Sequence, residues 1–453
     1  MQRVIPPTNP IVRNAFPLLV FFLIAVFTGL WDKIYFLARL HILMLCGGLA
    51  LILVGLSGRL AVVLRDPIAK SLVAFTAWFI ICIPFAVWRG GSFAVLKDIW
   101  SRSALAFVLV AGCILTINQS KTIFKTIGYS VGLLAIVTLA LRGHDNTGRI
   151  GLVGTRYENA NDFGWTLILG LSFLSFLFLR GNRLQRFITL FFSAVIIFAL
   201  VKTGSRASMI GFAVLAVILF LQAPRALRIR LGFGIPIVVA LLMAVTPAQM
   251  RSRYTTLFGS DSTPQNFYMS AEERLQATAV GSAEARWVLL KDAVQLTLTY
   301  PLFGVGPGNF QVADNELSVE RGEPYGGWHV THNTYAQISS EMGIPGLIIY
   351  IVFLYQCIKP LNSIVRSRYP GKDWQDLRAL AKSLRTTFGI LISVAFFGSW
   401  AYDTNVPIIA GLACALSLIA QRQRALLTAT QPVASSPAAQ PERALEPAWM
   451  SRA

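Results

Sequence analysis

Charge is scarce in this chain. Only 13% of its 453 residues are Asp, Glu, Lys or Arg, and 55% are hydrophobic. A soluble globular chain is about 25% charged and about 45–50% apolar. The deficit excludes an ordinary soluble domain, and repeated apolar runs reach the roughly 17–25 residues that span a hydrocarbon core as a helix. Acidic residues are the scarcer sign, 21 against 40 Lys and Arg, for a net charge of +19. The basic residues form no face with interleaved aromatics, which argues against a nucleic-acid partner. They stand instead in short clusters between apolar runs, the pattern that orients a polytopic protein. Cysteine is rare too. Cys46, Cys82, Cys113, Cys357 and Cys414 all fall in apolar segments, so no disulfide or cysteine-based metal framework is implied.

What is present is an all-α, polytopic pattern. About twelve segments are expected to span the membrane, near 14–31, 35–56, 68–88, 100–117, 124–141, 162–179, 187–201, 207–223, 229–247, 334–357, 383–401 and 405–420. The basic start and apolar run at the N-terminus read as an uncleaved first helix. Residues 1–247 then hold spans one to nine, 248–333 a long, mostly helical outer loop, 334–421 the last three spans, and 422–453 a Pro/Ala/Ser-rich disordered tail. More than half of the basic residues lie in the loops after the even-numbered spans and in the tail. Those loops are therefore expected in the cytoplasm with both termini, and the long loop in the periplasm of a bacterial inner membrane. SFAVLKDIWSR (92–102) reads as an interfacial amphipathic helix. In the long loop, AEERLQATAV and SAEARWVLLKDAVQLTL read as two helices divided at Gly281. Ser282 is the expected N-cap and Leu289, Leu290, Ala293, Val294 and Leu296 the apolar stripe.

Four groups on the expected outer side carry possible chemistry. In KTGSRAS (202–208), Arg206 enters the first turn of a span, where the helix dipole disfavours a cation. Lys202, Arg206 and the helix-start N–H groups are a candidate anion site, against a plain interfacial arginine. Arg286, in SAEARW, shares a helix face with Leu290 and Ala293, so it either forms a structural ion pair or meets a ligand's negative charge. His332, three residues after His329, opens the tenth span beside Asn333 or Thr334, either of which suits an N-cap. The pair reads as metal ligands, as satisfied interfacial histidines, or, for His332, as a general base. Asp403, in AYDTNVP, either pairs with an outer arginine or begins a helix. GVGPGNF (304–310) lacks the Gly-Lys-Ser/Thr of a P-loop and reads as a turn. In YENANDFGW, Asn161 or Asp162 is the expected cap of the sixth span. Arg156 and Asn161 of that outer loop, with Asn333, are further candidates for substrate contact.

The TGSRAS turn, then SAEARW…YPLFGVGPGNF, then HNTYAQISSEMGIPGL stand in an order and spacing that resemble the O-antigen ligase superfamily over about residues 150–350. That family includes related Wzy-like polysaccharide polymerases and protein O-oligosaccharyltransferases. The resemblance implies a cofactor-free, metal-independent, inverting transfer of a glycan from undecaprenyl diphosphate to an acceptor hydroxyl, on lipid A–core or another glycan. Carried over, Arg206 and Arg286 bind the donor diphosphate and His332 is catalytic. Asp403 is similar to an outer-loop acidic position of the family. A lipid-linked glycan transporter is the competing class. It calls for polar groups at mid-membrane depth, whereas these spans are nearly free of charge, with Arg39 and His41 near an outer end.

Overall fold

A computed structural model describes residues 10–34, 42–141, 143, 149–226, 228–229, 232, 271–322 and 329–430. Their regular elements are all helices. In chain order those of seven residues or more are α1 (Pro10–Thr28), α2 (Ile42–Leu56), α3 (Arg59–Arg65), α4 (Pro67–Cys82), α5 (Arg89–Val95), α6 (Ser101–Cys113), α7 (Ile117–Ala140) and α8 (Ala160–Arg180). There follow α9 (Arg183–Lys202), α10 (Arg206–Gln222), α11 (Ala271–Thr299), α12 (Phe310–Glu320), α13 (Thr334–Arg366), α14 (Lys372–Val394) and α15 (Asn405–Thr430). The expected span 229–247, Arg39, His41 and most of the tail lie outside the described residues, as does the first part of the long loop.

Among the described residues seven helices are long and apolar enough to cross a membrane: α1, α4 with its continuation to Phe85, α7, α8, α9, α13 and α15. The chain is a polytopic membrane protein. α2 and α3 are bent by 86° against each other and make an eighth span if counted as one. The other expected spans fall short for physical reasons. α10 has 17 residues, or roughly 25 Å at 1.5 Å per residue, against a core of about 30 Å, and α6, with 13, is joined through helical residues 96–100 to α5 in a stretch that carries Lys97, Asp98 and Arg102. α14 has 23 residues, but Lys372, Asp373, Asp376, Arg378, Lys382 and Arg385 load its first half with charge.

α8 and α15 are the most enclosed of the spanning helices. α8 packs against α7, α9, α10 and α14, and α15 against α6, α13 and α14. With lipid on the outside, helix association depends on close packing rather than on expelling water. Small residues provide it: a Cβ on Gly170 of α8 would collide with Val131 of α7. At one end of the bundle Asp376 accepts from Lys121 and Arg180, each at 2.6 Å, which ties α14 to α7 and α8.

Three local expectations change. Asn159, not Asn161 or Asp162, caps α8, its side chain accepting from the N–H of Asn161 at 2.8 Å. α11 runs through Gly281 as one helix, so Ser282 is an interior residue rather than a cap. A single glycine costs about 1 kcal/mol in a helix, too little to divide one held by its neighbours. On α11, Leu289, Ala293 and Leu296 are buried with Val305, Phe310, Ala313 and Ala336, while Val294 is exposed. Residues 92–102 are helical, with Phe93, Lys97 and Ile99 outward and Trp100 buried.

The glycine-rich loop after α11 is a clamp. α13 is broken at Gly343, whose φ of 69° and ψ of −178° are non-helical, and a Cβ there would strike the Leu302 carbonyl. A break leaves backbone groups without helical partners, and buried ones must be satisfied. The loop satisfies them: Ile344 N–H donates to Pro301 O at 2.9 Å, Val305 N–H to Ser340 O at 2.8 Å and Gly306 N–H to Glu341 O at 2.9 Å. Trp78 of α4 donates to Met342 O at 2.9 Å. The buried Glu341 carboxylate accepts from Gly308 N–H at 2.8 Å and from the Tyr402 hydroxyl at 2.7 Å. GVGPGNF thus serves as a turn, and it holds the short first segment of α13 in place.

Candidate functional site

That first segment begins with the scarce histidine. Asn333 caps α13, its Oδ1 accepting from the N–H groups of Tyr335 at 3.0 Å and Ala336 at 3.1 Å. His332, one residue earlier, has φ of 50° and is the only described non-glycine residue with positive φ. That left-handed region is uncommon for side-chain-bearing residues, and histidine is among the enriched exceptions. The strain is held by bonds on both sides. Thr331 is buried and its hydroxyl pairs with that of Ser399 at 2.8 Å. Thr334 N–H donates to Ala395 O at 2.8 Å, and its hydroxyl to Gly398 O at 2.7 Å. The imidazole is thereby aimed by the α14–α15 connection as well as by its own helix.

The TGSR turn approaches from another part of the chain. α9 ends in buried Thr203, Gly204 takes φ of 58°, and Ser205 caps α10 by accepting from Ser208 N–H at 3.2 Å. Arg149 braces this turn, donating from Nε to Thr203 O at 2.8 Å and from Nη2 to Asn161 Oδ1 at 2.9 Å. Asn161 Oδ1 also accepts from the Ser205 hydroxyl at 2.8 Å. Arg206 is the first residue of α10. Arg286 comes from α11, which packs along α13.

These segments enclose a cavity of ≈ 290 Å³ lined by Arg206, Arg286, His332 and Asn333 together with Trp287, Leu290, Phe396 and Phe397. The two arginines and the histidine come from three helix starts or stems far apart in sequence. Burial, and then the positive charges of Arg286 and His329, push the His332 imidazole down to about 4. It is therefore neutral at physiological pH and able to accept a proton. His329 is exposed and does not line this cavity. Among the described residues no group of three His, Cys, Asp or Glu side chains is placed to hold a metal ion.

A second cavity of ≈ 610 Å³ adjoins the first, and Thr331 lines both. It contains Arg102 and Arg156 with four acids, Asp98, Asp162, Glu341 and Asp403. Asp403 does both things considered for it. Its Oδ2 pairs with Arg156 Nη2 at 3.0 Å, and its Oδ1 accepts from Asn405 N–H at 2.8 Å ahead of α15. Trp400 donates to Asp162 at 2.7 Å and stacks on Trp165.

Of the residues singled out in the sequence, Arg206, Arg286, His332 and Asn333 meet in one cavity. Arg156 and Asp403 meet each other in the next one. Asn161 is a brace for the TGSR turn rather than a lining residue of either cavity. Lys202 lines neither, its ammonium lying over the Phe198 ring at 5.0 Å. Arg149 was not singled out, and nothing in its local sequence marks it. Phe396 and Phe397 were missed for a different reason, since they read as part of an apolar span. Trp287, beside Arg286, was not singled out.

Comparisons with known proteins bear on the same segments. Residues 191–351 match the family model described as O-Antigen ligase. The match takes in Arg206, Arg286 and His332, and leaves Arg156, Asn161 and Asp403 outside it. The chain is also similar to a Rickettsia felis protein named "Putative polysaccharide ligase", at 24% identity over 319 residues, covering 67% of this chain and 71% of the relative.

Proposed function

We propose that this chain, whose residues 191–351 match the O-antigen ligase family model, transfers a glycan from undecaprenyl diphosphate to an acceptor hydroxyl at the periplasmic face of the inner membrane. The observation that carries the reading is the meeting of Arg206, Arg286 and His332 in one partly apolar cavity at the head of α13. Guanidinium groups donate paired hydrogen bonds that suit phosphate oxygens. The two arginines bind the donor diphosphate, and the aromatic and aliphatic walls receive the first part of its lipid.

The acceptor oxygen attacks the anomeric carbon while its proton passes to a ring nitrogen of His332. The bond from that carbon to the diphosphate oxygen breaks, and its electron pair leaves on the lipid diphosphate between the arginines. Fixed positive charge aimed at a leaving group that gains negative charge lowers the barrier without reorganisation. Attack opposite the leaving group inverts the anomeric centre. A bound diphosphate also offsets the charge of Arg286, which raises the imidazole from about 4 toward the range where a general base is most effective. The mixed polar lining of the second cavity suits the acceptor, whose hydroxyl reaches His332 past Thr331. The relative's name favours a ligase over a polymerase or a protein-glycosylating enzyme, and lipid A–core is the acceptor of this proposal.

Purified protein given lipid-linked glycan and acceptor is expected to transfer glycan in EDTA, and His332→Ala to lose at least about 100-fold with normal membrane insertion. Near-normal transfer by His332→Ala overturns the base assignment. Loss of wild-type transfer on chelation overturns the metal-free mechanism.

A further inference from the structure

The far end of α13 holds a cavity that the transfer chemistry does not use. Its volume is ≈ 850 Å³, and its charged lining residues are Lys359, Arg366, Arg368 and Arg424, with no carboxylate among them. Asp376 on the adjoining α14 is already engaged by Lys121 and Arg180. The site is built rather than merely basic. Trp374 Nε1 donates to Ser367 Oγ at 2.6 Å, and Arg378 Nη1 to Ser367 O at 3.2 Å, which fixes the turn carrying Arg368. Arg424 lies over the Trp374 ring at 5.8 Å and donates from Nη2 to Ser363 Oγ at 3.0 Å. Its buried Nε has no hydrogen-bond partner. Orienting a polytopic protein asks for cations in this loop, but not for a cavity with a pre-placed guanidinium.

A second observation concerns the same helix. Ile344, Ile348, Ile351, Val352 and Tyr355 are all exposed. Their spacing of four, seven, eight and eleven residues from Ile344 puts them on one helix face, and Lys359 and Arg366 continue that face into the cavity. From Ile344 to Tyr355 the stripe is about 16 Å long at 1.5 Å per residue. That is close to one leaflet, half of a core of about 30 Å. An apolar track one leaflet long therefore ends at a cluster of cations beside two tyrosines, Tyr355 and Tyr369, the residue type favoured at a membrane interface.

We propose that this cavity binds the phosphate headgroup of an anionic phospholipid whose acyl chain lies along the exposed α13 stripe, in the leaflet opposite the His332 site. The ligand chemistry is a phosphodiester tethered to a hydrocarbon chain, and both halves have a counterpart on one helix. A lipid held there braces the long segment of α13 below the Gly343 break.

The test uses full-length protein in neutral detergent, titrated separately with phosphatidylglycerol, phosphatidylcholine and inorganic phosphate. Native mass spectrometry and thermal unfolding are the readouts. One phosphatidylglycerol is expected to be retained and to raise the midpoint, with no comparable effect of the other two. The variant Lys359→Gln/Arg366→Gln changes two exposed side chains and so keeps the fold. It is expected to hold the lipid at least about fivefold more weakly, since each cation near an anionic headgroup contributes of that order. An equal response to inorganic phosphate makes this a free-anion site and overturns the lipid assignment. Unchanged retention by the double variant, or equal retention of phosphatidylcholine, overturns the site itself.

Discussion

The two cavities that meet at Thr331 differ in the charge they offer. The smaller has Arg206, Arg286 and a neutral His332 among aromatic and aliphatic walls. The larger has four acids against two arginines, and one acid–arginine pair, Arg156 with Asp403, is closed at 3.0 Å. A diphosphate meets only cations among the charged groups of the first, and a mixture of acids and arginines in the second. A polyhydroxyl compound, which donates hydrogen bonds to carboxylates, suits the second. Under the proposed reaction, this difference in lining keeps the anionic donor and the neutral acceptor apart until their reacting atoms meet at His332.

Three changes test the contrast, beginning with the largest effect. Replacing Arg286 with Lys keeps the charge and removes the planar fork. The expected loss is about 10–100-fold in kcat/KM for the lipid-linked donor, measured against wild type at equal membrane levels. A wild-type rate would reduce Arg286 to a topological charge. A smaller effect is expected on the pH profile. With the His332 imidazole at about 4 in the free enzyme, because burial and the charges of Arg286 and His329 disfavour protonation, neutral base is present at all higher pH. The acid limb of kcat/KM should therefore lie near pH 4, and removing the Arg286 charge with Arg286→Gln should move it upward. A limb already near 6.5 in the wild type, unmoved by the variant, would contradict the electrostatics of the cationic cavity. The smallest effect is expected in the neighbouring cavity. Arg156→Gln and Asp403→Asn, alone and combined, should raise acceptor KM a few-fold while leaving donor KM unchanged. Their coupling should be below about 1 kcal/mol, as befits a partly exposed ion pair. A donor KM effect from this pair would erase the distinction between the two pockets.

Much of the cationic cavity was legible in residue order, because a charged side chain at the boundary of an apolar span stands out against a nearly uncharged background. Arg206 and His332 were visible in that way, and Arg286 as a charge sharing a helix face with Leu290 and Ala293. The neighbouring cavity was harder to read. Asn159, Asn161 and Asp162 are near-equivalent cap formers, so one-dimensional reasoning had no means of choosing Asn159 and releasing Asn161 to brace the TGSR turn. Arg149 contacts Thr203, 54 residues away, and such a partner leaves no local trace. The glycines of GVGPGNF announced a turn, but their partners at Ser340 and Glu341 belong to another helix. Span number was only partly legible for a similar reason. α10 is apolar enough to be counted, yet at 17 residues too short to cross by itself.

The sequence by itself determined that this is a helical membrane protein with cations and a histidine at the heads of spans. Hydrophobic run length and charge scarcity are local properties, and the bilayer reads them directly. Only the tertiary structure decided which cations share a cavity with His332, that Asp403 closes on Arg156, and that the glycine-rich loop clamps the break in α13. Each of those outcomes depends on contacts between segments distant in the chain, where geometry at the ångström scale, rather than composition, sets the electrostatic result.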